Sequence, residues 1–275
     1  MNVRDSKLGR WVPAPLLVAS GAVHFGAAAA WLARPRVWPW ALGALIANHA
    51  ALAAAGLWPR SQLLGPNWVR LPSPGLARAA STDVAITIDD GPDPDVTPQV
   101  LKQLEEYRAS ASFFCIGDRV LRYPDIAQEI VRRGHVIENH SQRHRHNFSL
   151  LGPAGMSSEI SRAQESIFRV TGSRPLFFRA PAGLRNPFLD PVLARLKLRL
   201  ASWTRRGFDT VSADADAVFR RLATPLEARD ILLLHDGHAA RSRTGKPVIL
   251  EVLPRLLETL QARGLNSVTL RSVLP

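Results

Sequence analysis

Val84-Ala85-Ile86-Thr87-Ile88-Asp89-Asp90-Gly91-Pro92 is the stretch around which the chain can be organised: a strand-like apolar run that ends in two carboxylates and a Gly-Pro turn. Glycine tolerates unusual backbone dihedrals and proline fixes its own, so the turn keeps both carboxylates near the strand end. One can serve as a hard oxygen ligand and the other as a spare base. Alone, Asp-Asp-Gly-Pro is ordinary turn chemistry.

A second motif, His140-Ser141-Gln142-Arg143-His144, changes the weight of the first. Its histidines are four residues apart, and on a helical turn both imidazoles project from one face and can share an ion. Two histidines and one carboxylate leave coordination positions open, as a catalytic metal requires for water and a substrate oxygen. By itself this segment, with Arg143, Arg145 and His146, is equally a solvated basic loop. The two motifs together point to a hydrolytic metal site.

Working outward, apolar runs alternate with helical patterns from residue 84 onward. Strands are expected at Ser112 to Ile116, Val136 to Glu138, Leu176 to Phe178, Leu198 to Trp203, Ile231 to Leu234 and Ser267 to Leu270. Helices are expected at Thr97 to Arg108, Asp125 to Arg133, Ser158 to Val170 and Pro247 to Arg263. This is the pattern of an α/β fold with a mostly parallel sheet and outer helices, whose closed form is a barrel. Asp89, Asp90, His140, Arg179, Asp209 and His235 all fall at or just past carboxyl ends of strands, which a parallel barrel gathers on one rim. A strand cap at His235 and a salt bridge at Arg179 are the plain readings, and neither predicts a shared rim.

At this point the residues resemble the NodB-homology polysaccharide deacetylases of carbohydrate esterase family four. Thr87 to Pro92 looks like the first motif of that family and His140 to His144 like the second. Arg179-Ala180-Pro181-Ala182-Gly183 resembles the third, Trp203 through Asp209 a degenerate fourth, and Leu233-Leu234-His235 the fifth. The resemblance covers about residues 80 to 270 and implies a distorted barrel of strands and helices. It implies Asp89 as general base, Asp90, His140 and His144 as metal ligands, Arg179 as the group that orients Asp89, and His235 as general acid supported by Asp209. It also implies an oxyanion donor at the Ala182 backbone, with Pro181, Leu233 and Trp203 as substrate walls. The expected cofactor is a divalent metal, zinc first, with cobalt, nickel or manganese as alternatives. The products would be acetate or another small acid and a free amino sugar. Many relatives carry Asp and Trp where Arg206 and Thr210 stand, and an aromatic where Ala182 stands. These departures leave the acid–base and metal sets intact, alter the sugar walls, and argue against a long polymer substrate.

The first quarter of the chain differs in character. Residues 11–33 and 37–59 are two uncharged, mostly apolar stretches around Arg34-Pro35-Arg36, each long enough as a helix to cross a bilayer at 1.5 Å per residue. Trp11, Trp31, Trp38, Trp40 and Trp58 lie near their ends, as interfacial tryptophans do. A soluble helical hairpin, or a signal peptide cleaved at the small residues Ala27 to Ala30, would explain the same composition. His24 and His49 are read as packing polar groups. The expected organisation is a transmembrane hairpin over residues 1–60, a connector over 61–80 with Asn67-Trp68 as an interfacial anchor, and the deacetylase-like domain over 81–275. Three Lys/Arg precede the hairpin (Arg4, Lys7, Arg10), two lie in its turn and three follow (Arg60, Arg70, Arg78). That slight bias favours a two-pass protein of the bacterial inner membrane with a cytoplasmic catalytic domain.

The net charge of +12 divides evenly between residues 1–75 and the remaining 200. Spread-out basicity suits an anionic membrane face or a phosphate-bearing lipid, and no nucleic-acid stripe is read. Cys115 is the sole cysteine and lies in an apolar run, so no internal disulfide forms and burial is its expected role. The leading expectation is deacetylation of an amino sugar carried on polyprenyl phosphate, with the bilayer and that lipid as partners and Arg205-Arg206 as a phosphate contact. A periplasm-facing deacetylase of peptidoglycan or exopolysaccharide is the close alternative, and a silent metal- and sugar-binding module the distant one. The sugar, the acyl group and the oligomeric state are left open.

Overall fold

The structure, a computed structural model, describes residues 11–73 and 82–274. Among the described residues eight strands form one sheet: β1 (Asp83–Asp89), β2 (Ala111–Cys115), β3 (Val136–Asn139), β4 (Phe177–Phe178), β5 (Arg199–Leu200), β6 (Arg205–Arg206), β7 (Ile231–His235) and β8 (Asn266–Ser267). Their spatial order is β5-β4-β3-β2-β1-β7-β6, with β8 beside the start of β1, and every pairing is parallel. Parallel neighbours need crossovers. Helices supply most of them: α3 (Thr97–Glu106), α4 (Gly117–Arg122), α5 (Pro124–Arg132), α6 (Pro153–Thr171), α7 (Leu189–Arg195), α8 (Ala215–Ala223) and α9 (Val248–Ala262).

The opening stretch shows why the sheet forms here. Val84, Ile86 and Ile88 are fully buried in the core shared with the outer helices, while Ala85 lies in a second core inside the curl. Both faces of β1 are therefore covered, which is why it is apolar nearly throughout. Each such valine or isoleucine contributes about 1.5–3 kcal/mol by leaving water. On α9, Ile249, Val252, Leu253, Leu256, Leu257 and Leu260 recur at helical spacing and close the same outer core. Cys115 is buried in it.

The expected barrel is distorted and open: among the described residues, β5 and β6 do not pair with one another, and residues 201–204 cross the gap. Strand β6 was not legible because its two residues are both arginine and carry no apolar alternation. The predicted helical turn at His140–His144 is also corrected. Ser141 and His144 have positive φ, 64° and 49°, and the Ser141 and Gln142 carbonyls accept from Gly117 and Asp118 at the start of α4 instead of closing a helical turn.

Two further helices, α1 (Pro15–Ala33) and α2 (Trp38–Leu57), pack as a hairpin through a short 3₁₀ turn at Pro35–Val37. Proline in the first turn starts each, which trims the expected spans. Asn48 Nδ2 donates to Ser20 Oγ at 2.9 Å, and the His24 and His49 rings meet edge-on 5.2 Å apart. Both helices are long and apolar enough to cross a membrane, and Phe25, Leu32, Trp40 and Ile46 stand exposed on their outer faces.

Residues 61–71, within the expected connector, pack on the α/β domain. Leu64 and Leu71 are buried, and Arg185 donates from Nη2 to the Ser61 carbonyl at 2.6 Å and from its main chain to the Gly56 carbonyl at 3.1 Å. Trp68 is no interfacial anchor: its N–H donates to Leu200 O, its carbonyl accepts from Ser202 N, and its ring meets Phe177 edge-on at 5.0 Å. The short β5 gains a neighbour by this contact. Pro74, Gly75 and Arg78 of the expected connector, and Arg4, Lys7 and Arg10 of the charge bias, lie outside the described residues.

Candidate metal and acid–base site

Asp89 and His235 end adjacent strands in direct register, and on the other side Asp89 is in register with Phe114 of β2. Side chains two apart along β1 share a face, so Thr87 and Asp89 both point into the curl. There Arg179, one residue past β4, donates from Nη1 to Asp89 Oδ1 at 2.6 Å and to Thr87 Oγ1 at 2.9 Å. Its Nη2 and Nε donate to the Ser202 and Ala201 carbonyls, and its guanidinium lies 4.1 Å from the centre of the Phe114 ring. Burial pushes the Arg179 pKa down, opposed by the Asp89 charge. A fixed guanidinium thus leaves Asp89 Oδ2 as the free oxygen, 3.8 Å from His140 Nε2.

Asp90 follows with its backbone in the left-handed region, φ 73°. Gly237 makes this possible, since a Cβ there would sit 2.4 Å from the Asp90 carbonyl oxygen. Asp90 Oδ1 lies 3.3 Å from His140 Nε2 and 3.3 Å from His144 Nε2, yet this buried oxygen has no well-formed hydrogen bond. His140 Nδ1 is 2.9 Å from the Arg179 carbonyl, which can only accept, so the proton sits on Nδ1 and Nε2 offers its lone pair. The three ligand atoms lie within 4.8 Å of one another. Ligands about 2.0–2.2 Å from a tetrahedral zinc ion stand about 3.3–3.6 Å apart, and Asp90 Oδ1 is 3.3 Å from each histidine Nε2, so the donor set and the orphaned oxygen fit a divalent cation.

Electrostatics agrees. Burial opposes the Asp90 charge, but contacts with His140 and His238 and the charges of His140 and His235 hold its carboxyl well below the usual range. Burial, then repulsion by His140, pushes His144 down to about 4, leaving a neutral imidazole. Burial likewise opposes charge on His140, and Asp89 and Asp90 outweigh it and raise its pKa.

Across the cavity, Asp209 grips His235 twice. Its Oδ1 is 2.8 Å from His235 Nδ1, and its Oδ2 accepts from the His235 main-chain N–H at 2.7 Å. Asp209 is fully buried, so the grip is dry. Burial works against a charged His235, but the Asp209 carboxylate overrides it, with help from Asp89 and Asp90, and raises the pKa to about 9. The Nδ1 contact leaves Nε2 as the free ring nitrogen.

These groups border one cavity of about 250 Å³, lined also by Ala182, Gly183, Trp203, Leu233, Arg206 and Thr210. Ala182 reaches it with φ at 55°, in the left-handed region. Arg179 and Asp209 stand behind the lining residues. Pro181 is buried but does not line the cavity, a correction that follows from the turn carrying only Ala182 and Gly183 to the surface. The pair Arg205-Arg206 divides: Arg205 is bound to Asp230 at 2.9 Å and to the Thr224 carbonyl, while Arg206 faces the cavity.

Sequence reasoning missed His238, whose Nδ1 is 3.5 Å from Asp90 Oδ2, and His146, which lines the same wall. The signal for His238 was its place three residues beyond His235. It also missed Asp236, whose carboxyl accepts from Thr97 Oγ1 at 2.5 Å and presses on Gly91 so closely that a Cβ there would lie 2.5 Å from it. Burial raises the Asp236 pKa to about 7.

Comparison with known proteins agrees with this geometry. The sequence profile described as polysaccharide deacetylase matches residues 77–201. A peptidoglycan-N-acetylglucosamine deacetylase of Bacillus cereus is 34% identical over 193 residues, covering 70% of this chain and 87% of that protein. A chitooligosaccharide deacetylase of Azorhizobium caulinodans is 34% identical over 192 residues, covering 66% of this chain and 90% of the relative. Among solved structures, a family 4 carbohydrate esterase from Streptomyces lividans in complex with acetate superposes with a TM-score of 0.61 at 32% identity, covering 67% of this chain and 91% of the other.

Proposed function

Because this chain belongs to the polysaccharide deacetylase family, we propose that it hydrolyses the N-acyl group, acetyl first, of an amino sugar. Its reaction class is hydrolysis of a carbon–nitrogen bond other than a peptide bond. The observation that carries this reading is the meeting, in one cavity, of the Asp90–His140–His144 cluster, the Asp89–Arg179 pair and the His235–Asp209 pair.

Asp90, His140 and His144 would hold a divalent cation, zinc first; bound there, it supplies the Lewis acidity that polarises an amide carbonyl and acidifies water. Asp89, held through Oδ1 by Arg179, takes the proton of the attacking water on its free oxygen. His235, charged at neutral pH by virtue of Asp209, gives a proton to the departing amine. The Ala182 N–H, carried into the wall by a left-handed turn, is a donor for the developing oxyanion. Trp203 and Leu233 exclude water and seat the ring. Acid released from an acylated amino sugar by the purified protein, and abolished by chelator, is the test; no release across a panel of such sugars removes the reading.

For the substrate we favour an amino sugar on polyprenyl phosphate, taken at the bacterial inner membrane from its cytoplasmic side. Pro59, two residues past the end of α2, touches the cavity wall: a Cβ on Gly183 would lie 2.7 Å from Pro59 Cβ. A hairpin with exposed apolar faces that ends beside the cavity supports a sugar delivered by a lipid. Peptidoglycan is the second reading, favoured by the substrate named for the Bacillus cereus relative. An alkaline phosphatase reporter after Pro275 separates them: an active reporter rules out the cytoplasmic side.

A further inference from the structure

Building on the deacetylase reading, we propose that the sugar carries an anionic oxygen group, phosphate or carboxylate, on a carbon near its amide, and that Arg206 binds it. Arg206 lies on β6 in register with Leu233, and both line the cavity that holds Asp89, Asp90, His140, His144 and His235. Its guanidinium stands 5.5 Å from the Trp203 ring centre and 5.0 Å from that of Phe208. Its Nε is buried with no hydrogen-bond partner, and no salt bridge reaches it among the described residues.

Arg185 also has buried nitrogens without a partner, but it does not line the cavity; the arginines nearest the site are satisfied. Arg205 is paired with Asp230, and Arg179 is engaged through all three of its nitrogens. A buried guanidinium N–H without an acceptor is unfavourable, and an incoming oxyanion completes it. Two aromatic faces fix the plane of the fork, leaving its N–H edges for such a group. Once a divalent cation offsets Asp89 and Asp90, His235 and Arg206 leave the cavity positive, so an anion is favoured over a neutral ring. At about 250 Å³ the cavity is small for a ligand pocket. Arg206 shares this cavity with the proposed metal ligands and acid–base groups, so an anion that it binds belongs close to the amide. A phosphate on the anomeric carbon and a lactyl carboxylate on the ring both meet this description.

The experiment uses the full chain in detergent with zinc and three probes: N-acetylglucosamine 1-phosphate, the methyl glycoside of N-acetylmuramic acid, and neutral methyl N-acetylglucosaminide. One anionic probe is expected to show KM about tenfold below the neutral one, and which one identifies the source of the anion. Arg206→Gln should raise KM for that probe about 10- to 100-fold with kcat within about threefold, a rise at least about tenfold larger than any it causes on the neutral probe. Arg206→Lys, which keeps the charge and loses the fork, should give an intermediate KM and serves if the glutamine variant does not fold. Equal use of all three probes, or equal losses on charged and neutral probes, overturns the inference and leaves the deacetylase reading standing. Calorimetric binding of the two anionic probes to Asp89→Asn protein, with and without the Arg206 change, is read in parallel. Arg206-dependent binding of either without acid release by the unaltered chain sinks deacetylation and keeps the anion site; binding of neither overturns the anion site.

Discussion

Arg179 and Asp89 form a buried ion pair, Nη1 to Oδ1 at 2.6 Å, with side-chain exposures of 1% and 4%. The pair does more than neutralise charge. Because the same guanidinium is anchored on the Ser202 and Ala201 carbonyls, the Asp89 carboxylate is held against the segment that crosses the open side of the sheet.

Arg179→Met leaves a carboxylate buried without its cation, a loss of about 3–5 kcal/mol in denaturant unfolding. Turnover should fall about 100-fold or more, because Asp89 loses its fixed orientation. The double variant Arg179→Met/Asp89→Asn should lose less stability than the two single losses combined. Simple additivity would show that the pair is not the energetic unit described.

The His235–Asp209 contact predicts a pH dependence with a definite sign. In chelated protein His235 should titrate near 9, against an ordinary value of 6.5, so its contribution to stability is full below about 6.5 and lost as pH rises through about 9. Asp209→Asn removes the carboxylate that does most to hold the charge on His235 and should move this titration, followed by NMR of the ring, to lower pH. The alkaline limb of kcat/KM should move the same way. An unmoved limb would take His235 out of the acid role.

Gly183 joins three parts of the molecule. Its φ is 73°, and a Cβ would meet Trp203 Cη2 at 2.5 Å and Pro59 Cβ at 2.7 Å. Gly183→Ala is therefore strained in backbone and in packing, with an expected loss of about 1–3 kcal/mol in thermal unfolding. The clash pushes Trp203 toward the cavity or Pro59 away from it, so KM should rise while metal content is unchanged. An alanine variant of native stability and KM would mean that the hairpin does not brace the wall.

His238 and His140 both approach Asp90, at 3.5 and 3.3 Å, but His238 is 60% exposed and His140 is 3% exposed. Only the buried imidazole, held by the Arg179 carbonyl, is oriented as a ligand. His140→Ala should lower zinc affinity about 10- to 100-fold or more by elemental analysis, whereas His238→Ala should keep the metal. The reverse order would redraw the cluster.

Much of this was legible in the chain because β1, β2 and β7 are long and buried on both faces, so Val84–Ile88 and Ile231–Leu234 declare themselves as apolar runs. The rim residues could be gathered once those ends were located. What was hidden has a common cause. Strand β6 is two arginines, the His140–His144 loop is shaped by bonds to Gly117 and Asp118, and Trp68 is placed by Phe177 and Leu200. Each depends on a partner distant in sequence, and no local period reports such a partner. The cavity's charge was hidden in the same way: nothing in Arg205-Arg206 says which arginine meets Asp230 and which faces the site.

The central claim is that one cation on Asp90, His140 and His144 and one base at Asp89 together cleave an N-acyl amino sugar. Its most direct test measures zinc content and acid release in the same samples of the unaltered chain and of Asp89→Asn. The account predicts one zinc per chain in both, with release in the variant lower by about 100- to 10,000-fold. Full release by Asp89→Asn, or a chain that releases acid with no metal bound, would contradict it.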